Sequence, residues 1–343
     1  MPTVQTQMRT EVLEIPVAAE RLLSNGGDAV RRAADAVRAR DPQFMVSVAR
    51  GSSDHVATYL KYASELLLAT PIASIGPSIA SIYGRKLKLD RSVCLSVSQS
   101  GKSPDIVEMA RMAREGGALS IAMTNHTDSP LAQVADHTLN LHAGPEISVA
   151  ATKTFVNSAI AGIWFLAECA DDDDLRRAIF DLPSKLEIAV QLDWPEVRAA
   201  LGGRNSIFCL GRGPACAISN EAALKFKETC QIHAESYSSA EVLHGPVSIV
   251  DGGFPVIGLA SKDEAEPPLA KVADEIATKG ASVFATSNMV DRATQLDTIR
   301  TGHALTDPIS LIATFYSMVE RVAESRGINP DAPRHLKKVT ETV

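Results

Sequence analysis

Short, predominantly apolar runs alternate along this chain with stretches in which apolar residues recur every three or four positions. Met45, Val46 and Val48 form one such run, Val93, Cys94, Leu95 and Val97 another, and Ile121, Ala122 and Met123 a third. A strand exposed on one side would alternate apolar with polar, so continuous apolar runs predict a parallel sheet covered on both faces. The helical stretches at 55–68 and after Pro104 supply the cover. Within this stretch the order is strand, helix, short strand, apolar strand, helix, apolar strand.

The same order then returns at an offset of about 162 residues. Residues 44–51 align with 206–213, each an apolar strand ending in Arg-Gly (Arg50-Gly51 and Arg212-Gly213). Helical patterns follow at 55–68 and 217–230; Gly84 pairs with Gly245, 97–100 with 258–261, and 121–125 with 284–288. The fold class expected is therefore α/β, as two tandem doubly wound parallel-sheet domains. The boundaries drawn are a helical segment at 1–40 (one helix over 11–23), a first domain at 41–170 and a connector at 171–203 broken near Pro183 and Pro195. A second domain follows at 204–326, ending in a long helix over 307–326, and then a tail at 327–343. Composition alone makes that tail a frayed terminus.

Sheets of this kind bind ligands beyond the carboxyl ends of their strands. Two hydroxyl-rich turns fall there in the first domain: Gly51-Ser52-Ser53, and Ser98-Gln99-Ser100-Gly101-Lys102-Ser103. Pro104 suits the first turn of a helix, and the free N–H groups of that turn beside Ser98, Ser100 and Ser103 make a cup for a dianion. The spacing matches neither the nucleotide loop G-x-x-x-x-G-K-S/T nor G-x-G-x-x-G, so a phosphate on something small is expected. Taken singly, either cluster also reads as small residues filling a turn. In the second domain Asp263 and Glu264 follow Ser261 and would repel a phosphate, so only the first domain should bind one.

A second constellation is Glu221, Lys225 and Glu228, which share one helical stripe at i, i+4 and i+7. One reading is a surface ladder of ion pairs worth tenths of a kcal/mol. The other is a catalytic carboxylate, because Ala222, Ala223, Leu224 and Phe226 crowd the remaining faces and place the helix inside the molecule, where a carboxyl's pKa rises. His244, before Gly245-Pro246, falls on a rigid turn that exposes the imidazole for proton transfer. His233, Glu235, Glu241 and His244 lack the helical pair that marks a metal site, and no metal is expected.

Composition narrows the setting. The 343 residues carry a net charge of −7, against a nucleic-acid surface, and no apolar run reaches the roughly 20 residues that cross a bilayer. Asp171 to Asp174 read as a solvated helix start. The five cysteines lack metal spacing and read as reduced core thiols. The first residues show no apolar signal block, so the cytoplasm is expected.

Together these residues resemble the SIS (sugar isomerase) family over almost the whole chain. The resemblance is carried by Arg50-Gly51-Ser52-Ser53, Ser98 to Gly101, Val149-Ala150-Ala151-Thr152-Lys153, Glu221 through His233, Leu243 to Pro246 and Lys337-Lys338. The arrangement is similar to the isomerase half of glucosamine-6-phosphate synthases. A glutamine-hydrolysing domain is not expected, for want of a leading cysteine or of room ahead of the first domain. Stretches 51–55, 100–105 and 326–331 are closer to stand-alone SIS-type glucosamine-6-phosphate deaminases. The resemblance implies flavodoxin-like halves, a homodimer with active sites formed where subunits meet, a phosphosugar ligand, and no cofactor. It further implies that Ser98, Gln99, Ser100 and Ser103 hold the phosphate, with Gly51 and Ser52 in the same turn as Ser53. Ser53 and the Val149 backbone would touch the sugar. Glu228 would be the base between C1 and C2, His244 would open the ring from the partner subunit, and Lys225 would assist. Lys338 matches a lysine that forms an imine with fructose 6-phosphate in the synthases, and the tail would close the site. Lys102 stands where the synthases carry an acid and Ala151 where they carry a substrate-contacting serine, which weakens the synthase reading; the activity the resemblance implies is deamination of glucosamine 6-phosphate to fructose 6-phosphate and ammonia. Related readings remain: a galactosamine-6-phosphate deaminase/isomerase, a sugar-amine phosphate deglycase, a glutaminase-less synthase-like protein, or a non-catalytic sugar-phosphate sensor.

Overall fold

The computed structural model describes residues 5–338 of the chain. They form two units, each built on a five-stranded parallel sheet. The N-terminal unit (residues 16–146, 153–180 and 337–338) holds β1 (Phe44–Val48), β2 (Ile72–Ser74), β3 (Ser92–Val97), β4 (Leu119–Thr124) and β5 (His137–Asn140). Its strand order is β2-β1-β3-β4-β5. The C-terminal unit (residues 5–15, 147–152 and 181–336) holds β6 (Ser206–Gly211), β7 (His233–Ser238), β8 (Pro255–Gly258), β9 (Ser282–Ala285) and β10 (Thr294–Gln295), in the order β10-β9-β8-β6-β7. Counted within each copy, both orders are 2-1-3-4-5, the flavodoxin-like arrangement whose switch point lies between the first and third strands.

The apolar runs become the central strands. Every residue of β3 is buried, and Val93, Cys94, Leu95 and Val97 stand in register with Leu119 to Met123 of β4. In the N-terminal unit the helices Ser52–Leu68 and Pro104–Glu115 follow β1 and β3, and a core of Val46, Val48, Ile106, Met109 and Ala122 fills one side of the sheet. The corresponding core of the C-terminal unit gathers Phe208, Leu210, Val256, Ile276 and Ala285. All five cysteines are free; burial pushes the Cys94 thiol up to about 11.

Three details depart from the sequence pattern. The helix expected over 11–23 is broken: Gln7–Leu13 ends at Glu14 and a new helix, Ile15–Asn25, begins with Pro16 in its first turn, where a missing N–H is tolerated. The helix expected to start within Asp171 to Asp174 begins at Asp173, past Asp171 with its left-handed φ of 54°. Each sheet also has a fifth, edge strand, and β10 is only two residues long. Among the described residues no helix is long and apolar enough to cross a membrane.

Candidate active site

In the N-terminal unit a cavity of about 300 Å³ opens at the switch point between β1 and β3. The turn after β1 lines it with Arg50, Gly51 and Ser53; the turn after β3 contributes Ser98, Gln99, Ser100 and Ser103. Lys338 joins them from the other end of the sequence. Ser52, on the first turn of the next helix, does not line the cavity.

The second turn is tightly made. Ser98 Oγ accepts from the Gly101 N–H at 3.2 Å and Ser100 Oγ from the Lys102 N–H at 3.3 Å. A hydroxyl that accepts from the backbone still carries its own proton, so both remain donors toward a ligand. Ser103 begins the Pro104–Glu115 helix without spending its side chain on the cap. Gly101 sits at φ +62°, and a Cβ there would fall 2.2 Å from Ser129 Oγ, so this position needs glycine twice over. Donor hydroxyls, a helix start and two cationic side chains are the groups that favour an anion, and all of them line this one cavity.

Two buried carboxylates brace those cations. Asp105, 1% exposed, accepts from Arg50 Nε at 3.1 Å and Nη2 at 2.9 Å. Glu146 accepts from the Thr154 N–H at 3.1 Å, from Thr154 Oγ1 at 2.6 Å and from Lys338 Nζ at 3.0 Å. Neither Glu146 nor the Asp105–Arg50 pair was singled out from sequence, since each acts through a partner tens to hundreds of residues away. A chemical signal was present only in the tail, whose lysines are otherwise unexplained.

In the C-terminal unit the helix Ala215–Cys230 carries Glu221, Lys225 and Glu228. The surface-ladder reading is wrong here: Glu221 and Lys225 are fully buried, and only Glu228 reaches solvent, with its side chain 20% exposed. Lys225 Nζ lies 3.2 Å from Glu221 and donates to Glu228 Oε2 at 2.5 Å, while the Tyr316 hydroxyl donates to Glu221 at 3.0 Å. Burial alone would lower the Lys225 pKa; Glu221 and Glu228 reverse this and hold it above the usual lysine value. The result is a fixed buried cation beneath one accessible carboxylate. Val149 and Ala151, both half-buried, belong to the segment 147–152 of this same unit. Glu11 shapes that segment: it is fully buried and accepts from the Ile147 and Ser148 N–H groups. His244 ends the one-turn 3-10 helix Glu241–His244 and is exposed, apart from the Lys225 cluster's hydrogen bonds.

At the corresponding switch point of the C-terminal unit, Asp263 reaches to within 3.9 Å of where a Cβ on Gly213 would stand. Burial, with Glu264, Glu266 and Asp307 nearby, raises its pKa despite a hydrogen bond from Ala265. A second cavity of about 270 Å³ opens beyond β9 and β10, but its Arg300 is already bound by Glu266, Asp307 and the Ala260 and Thr286 carbonyls. Among the described residues no group of three or more His, Cys, Asp or Glu is arranged to hold a metal ion.

One doubly wound unit used twice, with a hydroxyl-lined cavity at the switch point of the N-terminal copy, defines the class: a tandem α/β protein. The SIS domain family matches the chain at residues 40–167 and 201–323, and the chain belongs to that family. A glutamine–fructose-6-phosphate aminotransferase (isomerizing) from Sulfolobus acidocaldarius is 32% identical over 301 residues, 86% of this chain and 49% of that protein. The chain thus spans about half the length of the curated relatives it matches. A crystal structure of a candidate phosphosugar isomerase from Silicibacter pomeroyi is 63% identical, with a TM-score of 0.93 over 95% of this chain and all of that one. Glucosamine-6-phosphate deaminase from Thermotoga maritima, 21% identical with a TM-score of 0.79 over 98% of this chain and all of that one, shares the fold.

Proposed function

We propose that this protein is a phosphosugar isomerase whose reaction ends in deamination, converting glucosamine 6-phosphate and water to fructose 6-phosphate and ammonia. The observation that carries the reading is the pairing of one accessible carboxylate, Glu228, with the buried Lys225 ammonium, in a chain that also has a hydroxyl cup for phosphate. The serine turn holds the phosphate, with Ser53 and the Val149 backbone toward the sugar chain. His244 opens the pyranose ring. Glu228 then removes the C2 proton, which the substrate's own aldehyde has acidified, and the electron pair moves to give an enolamine. Reprotonation at C1 yields the C2 imine of fructose 6-phosphate; water adds to it and ammonia leaves. General acid–base assistance of this type contributes about 10² to 10⁴ in rate. Departures at Lys102 and Ala151 support deamination over amination.

His244 is exposed on its turn, as suits a residue lent to a second copy, and we include a homodimer in the proposal. Plain aldose–ketose isomerisation is the second reading, favoured by the 63% identical relative and by needing only the same base.

Purified protein offered glucosamine 6-phosphate, galactosamine 6-phosphate and their N-acetylated forms should release ammonia and ketose phosphate in equal amounts from the first. Ketose phosphate without ammonia from a non-aminated aldose phosphate selects the second reading; no product from any of them overturns both. Glu228→Gln should abolish turnover while leaving fructose 6-phosphate binding intact, and full activity in that variant removes Glu228 as the base.

A further inference from the structure

The hydroxyls of the serine turn are neutral, yet a phosphate monoester carries close to two negative charges at neutral pH. Two cationic side chains line the cavity, and one of them, Lys338, is engaged by Glu146. The other is Arg50, with its side chain 55% exposed. Its Nε and Nη2 are spent on Asp105, which leaves Nη1 without a partner among the described residues. Asp105 is itself fixed, because its Oδ1 accepts from the Ile106 N–H at 2.9 Å on the first turn of the helix that the serine turn enters. The guanidinium is thereby pinned to the element that forms the floor of the cup.

The duplicated unit serves as an internal control. The repeat aligns Arg50 with Arg212 and Asp105 with Glu266. In the second copy Glu266 is 6% exposed and pairs with Arg300 at 2.8 Å, not with Arg212. There the acidic Asp263 lies 3.9 Å from where a Cβ on Gly213 would stand. Arginine and carboxylate are joined across the switch point only in the copy that has the hydroxyl cup. A pair kept for stability alone would have no reason to follow the cup.

We propose that Arg50 is a phosphate-binding residue and that Asp105 is its positioning residue, holding the guanidinium for a charge-assisted bond to a phosphate oxygen. This rests on the reading that the cup takes a phosphorylated sugar. The probes are fructose 6-phosphate and unphosphorylated fructose, titrated calorimetrically into the full chain. Wild type should bind only the phosphorylated sugar; binding of neither sinks the functional reading itself and is thereby distinguished from failure of the inference. Arg50→Met should weaken fructose 6-phosphate by about tenfold or more and flatten the loss of affinity with added salt. Arg50→Lys should restore part of both. Because Arg50→Met strands a buried carboxylate, Arg50→Met/Asp105→Asn removes both charges together and should show the same loss with the fold retained. Asp105→Asn alone should give an intermediate affinity with a reduced salt dependence. Wild-type affinity and salt dependence in the folded double variant overturn the proposal, provided Ser100→Ala weakens binding in the same assay.

Discussion

Lys225 keeps its charge where no water reaches it, and its neighbours explain how. Desolvation disfavours the ammonium, but Glu221 and Glu228 outweigh it and raise the folded-state pKa above that of an unfolded lysine. A raised value of this kind gives stability that is complete below about pH 10.4 and is lost as pH rises through the folded-state value. Alkaline unfolding of the wild type should steepen above that pH, and Lys225→Met should remove this limb. At pH 7 the same variant leaves Glu221 buried without its cation, which costs about 3–5 kcal/mol by denaturant titration. Gly101→Ala should be nearly as disruptive locally: at φ +62° with Ser129 in the way, a loss of about 1–3 kcal/mol is expected, and phosphate-dependent binding should fall with it. Of these residues Glu221, Lys225 and Glu228 are legible from helical spacing alone. Glu146, Glu11 and the Arg50–Asp105 pair are not, because an isolated Glu, Asp or Arg looks solvated until the fold supplies its partner.

At the scale of elements, the helix Gln7–Leu13 shows how a short segment is fixed from afar. Thr6 Oγ1 accepts from the Arg9 N–H, and the Asp331 carboxylate accepts from the Gln7 and Met8 N–H groups at 2.7 Å. Three of the four N–H groups that a helix start leaves unmet are thus satisfied. Asp331→Ala should cost about 0.5–2 kcal/mol, seen as a lower Tm, and Asp331→Asn less. This gives part of the tail a structural contact that its composition concealed. The helices after β1 and β3 were legible to within a few residues because periodicity, Pro104 and the glycine turns agree. The edge strands were not: β5 is His-Thr-Leu-Asn and β10 two residues, too short for any period to register, and both exist because a neighbouring strand offers hydrogen-bond partners.

For the whole molecule the governing fact is a duplication that diverged in charge. Both copies keep the 2-1-3-4-5 strand order, yet the second places the acidic Asp263 near Gly213 where the first lines a cavity with Ser98, Gln99, Ser100 and Ser103. Titration should therefore give one fructose 6-phosphate per chain, not two. Ser100→Ala should weaken that binding, while Ser261→Ala, at the aligned position, should leave it unchanged; two equivalents per chain, or equal losses from both variants, would contradict the assigned asymmetry.

The sequence by itself determined the parallel sheets, their repetition and the place of the hydroxyl turns, because burial on both faces, helical spacing and turn chemistry are local constraints written in consecutive residues. It also settled that acids follow the second copy's turn. Only the tertiary structure decided which charges are buried and what each one holds: Asp105 on Arg50, Glu146 on Lys338, Glu11 on the 147–148 backbone, Glu221 beneath Lys225. The reason is physical. A charge survives burial only when an opposite charge or a set of hydrogen-bond donors meets it, and most of those partners lie far away along the chain.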